Sequence, residues 1–318
     1  MMTRQREVTR SFSSEISVIL TAYNEGLELG RTINSIRRNT QSDFEVIVVD
    51  DGSTDRSLTG KAFRDVTVIR HATRMGVAYS RNEATRLAKG RTLAYLDGHQ
   101  RLTEGCLDAC ADLAVRRQAI VCPDLCGFEK NAALIHGARF QSPRDKPPFG
   151  AEWKILKPVR RVTAMSSLRA PAYVIPAEIY PQVQWSRLLR GWGGSEGAIS
   201  LKAFFSGVDI FHLCGHIAYH KFKRKFHYKV GWDEVWRNHA IMARICFSEE
   251  TWLKYWLPEI FAPHLDDKTQ KELKSAAIRK EHENFHTLKV RSDYEFWTRL
   301  IRRRIPKPLR PLRLLSRC

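Results

Sequence analysis

Three short polar clusters in the first hundred residues hold side chains able to do chemistry: Thr21-Ala22-Tyr23-Asn24-Glu25, Asp50-Asp51-Gly52-Ser53-Thr54-Asp55 and Asp97-Gly98-His99. The third sets an imidazole two residues after a carboxylate. A hard divalent cation that bridges phosphates wants carboxylate oxygen, and an imidazole beside it shifts preference from Mg2+ toward Mn2+. Taken alone, Asp50 and Asp51 suit a strand-end turn with side-chain-to-backbone hydrogen bonds equally well. Further along, Glu196 follows a glycine-rich turn, Gly191-Trp192-Gly193-Gly194-Ser195. It could take a proton from an attacking hydroxyl, or serve a helix N-terminus as a favoured acid. His212, His216 and His220 stand four apart. On a helix they would share a face, but Gly215 argues for a strand or turn, and His212 and His220 read as structural histidines.

The elements that must position these groups alternate. Compact apolar runs at 16–20, 45–49, 66–69 and 92–96 predict strands. Leu29, Ile33 and Ile36 mark one face of a helix between the first two, and residues 77–88 read as a helix closed by Gly90. Continuous apolar strands alternating with helices predict a mostly parallel sheet covered on both faces. Functional loops of such a sheet lie at the carboxyl ends of its strands, where all three polar clusters fall. Residues 102–115 read as another helix, 119–122 and 172–175 as strands, and 198–205 as a helix. The Pro-rich, basic stretch 140–169 reads as an irregular loop or lid. Helical patterns follow at 232–256 and 268–283.

Composition bounds the rest. Of 318 residues, 53 are Lys or Arg against 34 Asp or Glu, a net charge of +19, and 43% are hydrophobic, which excludes a disordered chain. No apolar run is long enough to cross a bilayer and no signal peptide is evident, so the expected location is cytoplasmic, with peripheral contact at the inner membrane face. That contact is expected from residues 299–318, which carry eight basic residues and no acid, with leucines among them. A solvated basic tail accounts for the same pattern. Seven cysteines suit free thiols in a reducing compartment, and the Cys106/Cys110 and Cys122/Cys126 spacing is not that of a zinc knuckle.

The run from Ile16 through Glu25, followed by Val48-Val49-Asp50-Asp51-Gly52-Ser53-Thr54-Asp55, resembles the opening of the family-two glycosyltransferases of the GT-A fold. Asp97-Gly98-His99 stands where that fold carries its Asp-x-Asp metal motif. The Asp-x-His variant, the Gly191–Gly194 turn and Cys214-Gly215-His216-Ile217 are similar to segments of the polypeptide N-acetylgalactosaminyltransferases, and Trp153 to an aromatic acceptor-side position. The resemblance implies a Rossmann-like GT-A domain over residues 14–240 (a nucleotide-binding half 14–125 and an acceptor-side half 126–240). A flexible segment 1–13 precedes it and a helical, basic extension 241–318 follows. It implies a UDP-sugar pocket lined by Thr21, Ala22, Tyr23, Glu25, Asp50, Asp51, Arg81, Asp97 and Gly98, with Asp51 on the uracil ring. It implies a divalent cation on Asp97, His99 and His216, Mn2+ before Mg2+, and acceptor contacts from Trp153, Trp192, Gly193 and Gly194. Inverting members carry an acid pair at the acceptor side. Here Ser195-Glu196 leaves Glu196 alone at the base position, so the expected reaction is inverting transfer to a peptide, glycan or lipid-linked hydroxyl. A retaining polypeptide-type hexosaminyltransferase is the alternative.

Two other classes are weighed. A sugar-phosphate nucleotidyltransferase expects a Gly-rich phosphate loop after the first strand, where this chain has Thr21-Ala22-Tyr23-Asn24-Glu25. A nucleic-acid-binding protein would explain the charge and the basic-aromatic run Lys221-Phe222-Lys223-Arg224-Lys225-Phe226-His227. A loop closing over a pyrophosphate explains that run as well, and charge alone does not build three converging acidic loops.

Overall fold

The first apolar run folds as strand β1 (Ser14–Ala22), followed by helix α1 (Leu27–Asn39) and strand β2 (Phe44–Asp50). These come from a computed structural model that describes residues 12–140, 147–168, 172–223, 229–302, 306 and 309. Next come β3 (Val66–Arg70), α2 (Val77–Leu87), β4 (Gly90–Asp97), the short β5 (Gln100–Leu102), α3 (Cys106–Arg117) and β6 (Ile120–Gly127). β7 (Ala138–Phe140), β8 (Ala151–Trp153), β9 (Val162–Met165), β10 (Tyr173–Pro176), α4 (Tyr180–Val183), α5 (Ser195–Ser206), β11 (Ile210–His220) and α6 (Trp232–Cys246) complete the framework.

One nine-stranded sheet has the order β3-β2-β1-β4-β10-β6-β11-β5. β1 to β4 are parallel, as are β6 and β11, while β10 runs antiparallel between β4 and β6. β9 and β5 share the outer edge of β11, the first along residues 210–213 and the second along 218–220. Successive strand residues point to opposite faces, and this splits the core in two. Val18, Leu20, Val46, Val48, Ala94 and Leu96 pack under α1 and α3. Ile19, Ile47, Val49, Leu93 and Tyr95 pack under α2, α5 and α6. Each fully buried aliphatic side chain contributes on the order of 1.5–3 kcal/mol, so both faces hold the sheet.

Several sequence expectations change here. The boundary expected at 240 falls inside α6, and one core joins Ile19 and Tyr95 to Trp256, Phe285 and Phe296. The helical extension therefore shares the sheet's core. The stretch expected as an irregular lid contributes β8, paired with β7, and β9, paired with β11. The charged helix expected over 268–283 is two helices, Asp267–Glu272 and Ala276–His286, because Ser275 caps the second by accepting from Ile278 N. The six described cysteines are thiols and form no disulfide. Residues 1–11, most of the basic run 221–227 and most of the tail 299–318 lie outside the described residues. Among the described residues no helix is long and apolar enough to cross a membrane.

Candidate active site

The carboxyl ends of β1, β2 and β4 open into a cavity of about 580 Å³ that also takes in the Gly191–Gly194 turn and the start of α5. Thr21, Ala22, Tyr23, Glu25, Asp51, Arg81, Asp97, His99, Trp153, Trp192, Gly193, Gly194 and Glu196, all expected from the sequence, line it together. Three loops and a distant helix start therefore converge as the strand pattern requires.

At its floor lie Asp97, His99 and His220, each offering a ligand atom within 4.8 Å of the others. His99 Nδ1 sits 2.9 Å from Glu25 Oε2, which leaves Nε2 for the cavity. Lys223 Nζ donates to the other Glu25 oxygen at 2.7 Å. Burial works against Glu25's charge, but His99 and Lys223 hold its pKa below the ordinary value. His220 Nε2 lies 3.2 Å from Asp97 Oδ2, and its buried Nδ1 has no hydrogen-bond partner. An imidazole backed by a carboxylate, a second imidazole short of a partner and an ionised carboxylate fit a divalent cation. Burial opposes the Asp97 charge too, and His220, Arg81 and His99 more than compensate, holding its pKa well below the carboxylate range.

A buried guanidinium joins this floor to the wall. Arg81, 1% exposed, donates to Asp97 Oδ1 at 3.2 Å, to Glu196 Oε1 at 2.8 Å and to Tyr173 Oη at 2.9 Å. Glu196 stands in the first turn of α5, and its second oxygen accepts from Ser195 Oγ at 2.6 Å.

Asp51 organises the other wall. Its Oδ1 accepts from Met75 N and pairs with His71 Nδ1, both at 2.7 Å, and its Oδ2 accepts from Gly76 N at 2.8 Å. Gly76 (φ +99°) lies against Gly191, whose backbone a Cβ on Gly76 would meet at 2.3 Å. Val77 N donates to Gly191 O and Gly191 N to Met75 O. Asp51 thus holds the start of α2, and the start of α2 holds the turn that presents Glu196. Burial opposes His71's charge, but Asp51 and Glu83 raise its pKa above the ordinary imidazole value.

Residues 17–169 match the model of glycosyl transferase family 2. These residues belong to that family. An uncharacterized glycosyltransferase of Haemophilus influenzae is 41% identical over 26% of this chain and 28% of its own length. Polypeptide N-acetylgalactosaminyltransferase 8 of Drosophila melanogaster is 25% identical over 79% of this chain and 46% of its own length. A second fly relative of that group is 28% identical over 70% and 44%. The matched region is less than half the length of each of these relatives. Among solved structures, GalNAc-T7 with UDP, GalNAc and Mn2+ aligns with TM-score 0.65 and 19% identity over 90% of this chain and 58% of that one. Staphylococcus aureus TarS 1–349 with UDP-GlcNAc aligns with TM-score 0.53 and 16% identity over 86% and 90%. Both likenesses show the fold, a GT-A-type sheet flanked by helices.

Within this glycosyltransferase domain three expected positions move. His216 is not at the cation cluster: its Nε2 lies 3.5 Å from Arg161, and His220 stands with Asp97 and His99 instead. Four residues along a strand span about 13 Å, so one cluster cannot hold both. Pairing of His220 with Gln100 across β11 and β5 is what sets it beside His99. Asp50 does not line the cavity. It accepts from Ser53 N and Arg70 Nε, because strand alternation turns it away from the face Asp51 uses. Gly98 lies under the cavity floor, where a Cβ would meet Glu25 Cγ at 2.9 Å. The sequence reading missed Arg74, which stacks over Tyr23 at 5.4 Å, and named Phe222 only within the basic-aromatic run; its ring is 4.6 Å from His220 and 5.7 Å from Trp153.

Proposed function

We propose that the chain is a metal-dependent glycosyltransferase that moves a sugar from a UDP-sugar to an acceptor hydroxyl with inversion. The observation that carries it is a cation-type donor set, Asp97, His99 and His220, in one cavity with Asp51 and Glu196. The ligands named for the two structural neighbours support a UDP-sugar donor. Two imidazoles beside one carboxylate favour Mn2+ over Mg2+. A divalent ion there would neutralise the diphosphate leaving group. Lys223 and Arg74 add positive charge at the same cavity. A carboxylate offers about four lone-pair sites, and three protein contacts leave Asp51 one for the uracil N–H. Glu196 keeps one lone pair on each oxygen for the acceptor proton. Its bond to Arg81 fixes its direction toward the donor's floor. Trp153, Trp192, Gly193 and Gly194 form the acceptor side.

Similarity to polypeptide N-acetylgalactosaminyltransferases over 79% of the chain favours the retaining alternative. Ser195, standing where those enzymes carry Glu, favours inversion. The test is UDP release from a panel of UDP-sugars by EDTA-treated protein, before and after Mn2+ is added. The proposal expects release only with the cation, and its loss in Asp97→Asn. Release by EDTA-treated Asp97→Asn would overturn it.

A further inference from the structure

A second cluster of metal-ligand side chains lies outside the cavity, against the middle of β6. Asp124, 2% exposed, sits with Oδ1 2.6 Å from His136 Nδ1 and 2.7 Å from His212 Nε2. Its Oδ2 accepts from Gly215 N at 2.8 Å. Ligand atoms of Asp124, His136 and Cys214 all lie within 4.8 Å of one another. None of these residues lines the active-site cavity. Along β11, Cys214 is six residues from His220, about 20 Å at strand rise, so the two clusters are separate.

The fold builds this cluster from three segments. An isolated bridge between Leu125 and Ile135 fixes His136 beside β6. The register of β11 against β6 breaks between Leu213 and Ile217, and Gly215 (φ +98°) lies in that break. Cys214 directly follows Leu213, which is still in register with Pro123, so it stands beside Asp124, and the bulge after it aims Gly215 N at Asp124 Oδ2. His212 Nδ1 is buried without a hydrogen-bond partner, so its ring proton sits on Nε2 and donates to Asp124. Carboxylate, imidazole and thiol converge on one point, and Cys214 is the described cysteine that is not buried, which leaves an entry path.

We propose that Asp124, His136 and Cys214 bind a zinc ion, with His212 orienting Asp124 from behind. One thiolate, one imidazole and one carboxylate are a three-ligand zinc set, with water as the fourth ligand. On binding, the Cys214 S–H bond breaks, its proton leaves to solvent and a sulfur–metal bond forms, with no change in oxidation state. The ion would tie β6, the 135–137 segment and the β11 bulge together. His136 N donates to Lys154 O, so the tie reaches the segment that carries Trp153 into the active-site cavity.

Sulfur distinguishes the two sites, since Asp97, His99 and His220 contain none. Co2+, added to the full chain carrying Cys318→Ser, should give a near-ultraviolet thiolate-to-cobalt charge-transfer band. Zn2+ should bleach that band, and Cys214→Ser should remove it. Equimolar Zn2+ should also slow labelling of Cys214 by a disulfide reagent. His212→Ala should weaken zinc binding by about 10–100-fold, as loss of an orienting partner does. Absence of the band in the Cys318→Ser parent, or labelling unchanged by Zn2+, would overturn the proposal. So would a band that persists in Cys214→Ser.

Discussion

Replacing Arg81 with Met removes a cation bonded to both Asp97 on the cavity floor and Glu196 on its wall. The guanidinium is 1% exposed and donates at 2.9, 2.8 and 3.2 Å to Tyr173, Glu196 and Asp97. Burial opposes its charge, yet Tyr173, Glu196 and Asp97 outweigh burial and hold its pKa above the ordinary arginine value. Removing one partner of a buried ion pair costs about 3–5 kcal/mol, because the remaining charge is left uncompensated. Here the Asp97 and Glu196 side chains keep 25% and 20% of their surface exposed, so water relieves part of that cost. Met fills the channel the arginine stem occupied, so no large cavity adds to it. The expected loss is therefore near the lower end, about 3 kcal/mol. Urea unfolding in EDTA should show a midpoint lowered by about 1 M for an m-value near 3 kcal/mol/M. Mn2+ should stabilise Arg81→Met more than the parent, since the ion would supply the positive charge missing beside Asp97. A midpoint shift under about 0.3 M would refute the reasoning, as would equal Mn2+ stabilisation of the two proteins.

Other outcomes follow from the same geometry. His220→Ala should abolish tight Mn2+ binding while His216→Ala leaves it unchanged, and calorimetric titration of the two variants separates them. Asp51→Ala should weaken UDP binding by about 1.5–3 kcal/mol, the worth of hydrogen bonds to a charged group, and unchanged affinity by calorimetry would remove Asp51 from donor binding. Glu196→Gln should lower transfer about 10²-fold or more with UDP affinity unchanged, and the product's NMR coupling constant should show inversion of an α-linked donor. Burial lowers the His239 pKa to about 4, opposed by its bond to Pro148 O. The unfolded chain, with an ordinary value near 6.5, binds the proton first, so stability present above pH ~6.5 is lost as pH falls toward 4. The loss is on the order of 3 kcal/mol, read from unfolding midpoints at pH 7 and pH 4.5. No change attributable to His239, tested by His239→Gln, would contradict it.

The parallel half of the fold was legible because its strands are continuous apolar runs ended by Asp, Gly and Ser. The three loops at those ends met as the sheet topology requires. What local pattern could not supply was pairing at a distance. The sequence gives no sign that β11 would pair with β5 and set His220 beside His99. A family-like Gly-His segment pointed to His216 instead. Arg81 was visible only as a neighbour of the nucleotide, because its three acceptors come from residues 97, 173 and 196. Asp50 and Asp51 share a type and a turn, and strand alternation alone decides which one faces the cavity. The Asp124 cluster draws its side chains from β6, the 135–137 segment and β11, and no local residue pattern announces that these three meet.

Binding of UDP with and without Mn2+ tests the central claim most directly. Calorimetry on EDTA-treated protein should detect no UDP binding, and addition of Mn2+ should restore it in the parent and in His216→Ala. Asp97→Asn and His220→Ala should stay silent in both conditions. UDP binding that is equally tight in EDTA, or that survives in His220→Ala, would contradict a donor site built on Asp97, His99 and His220.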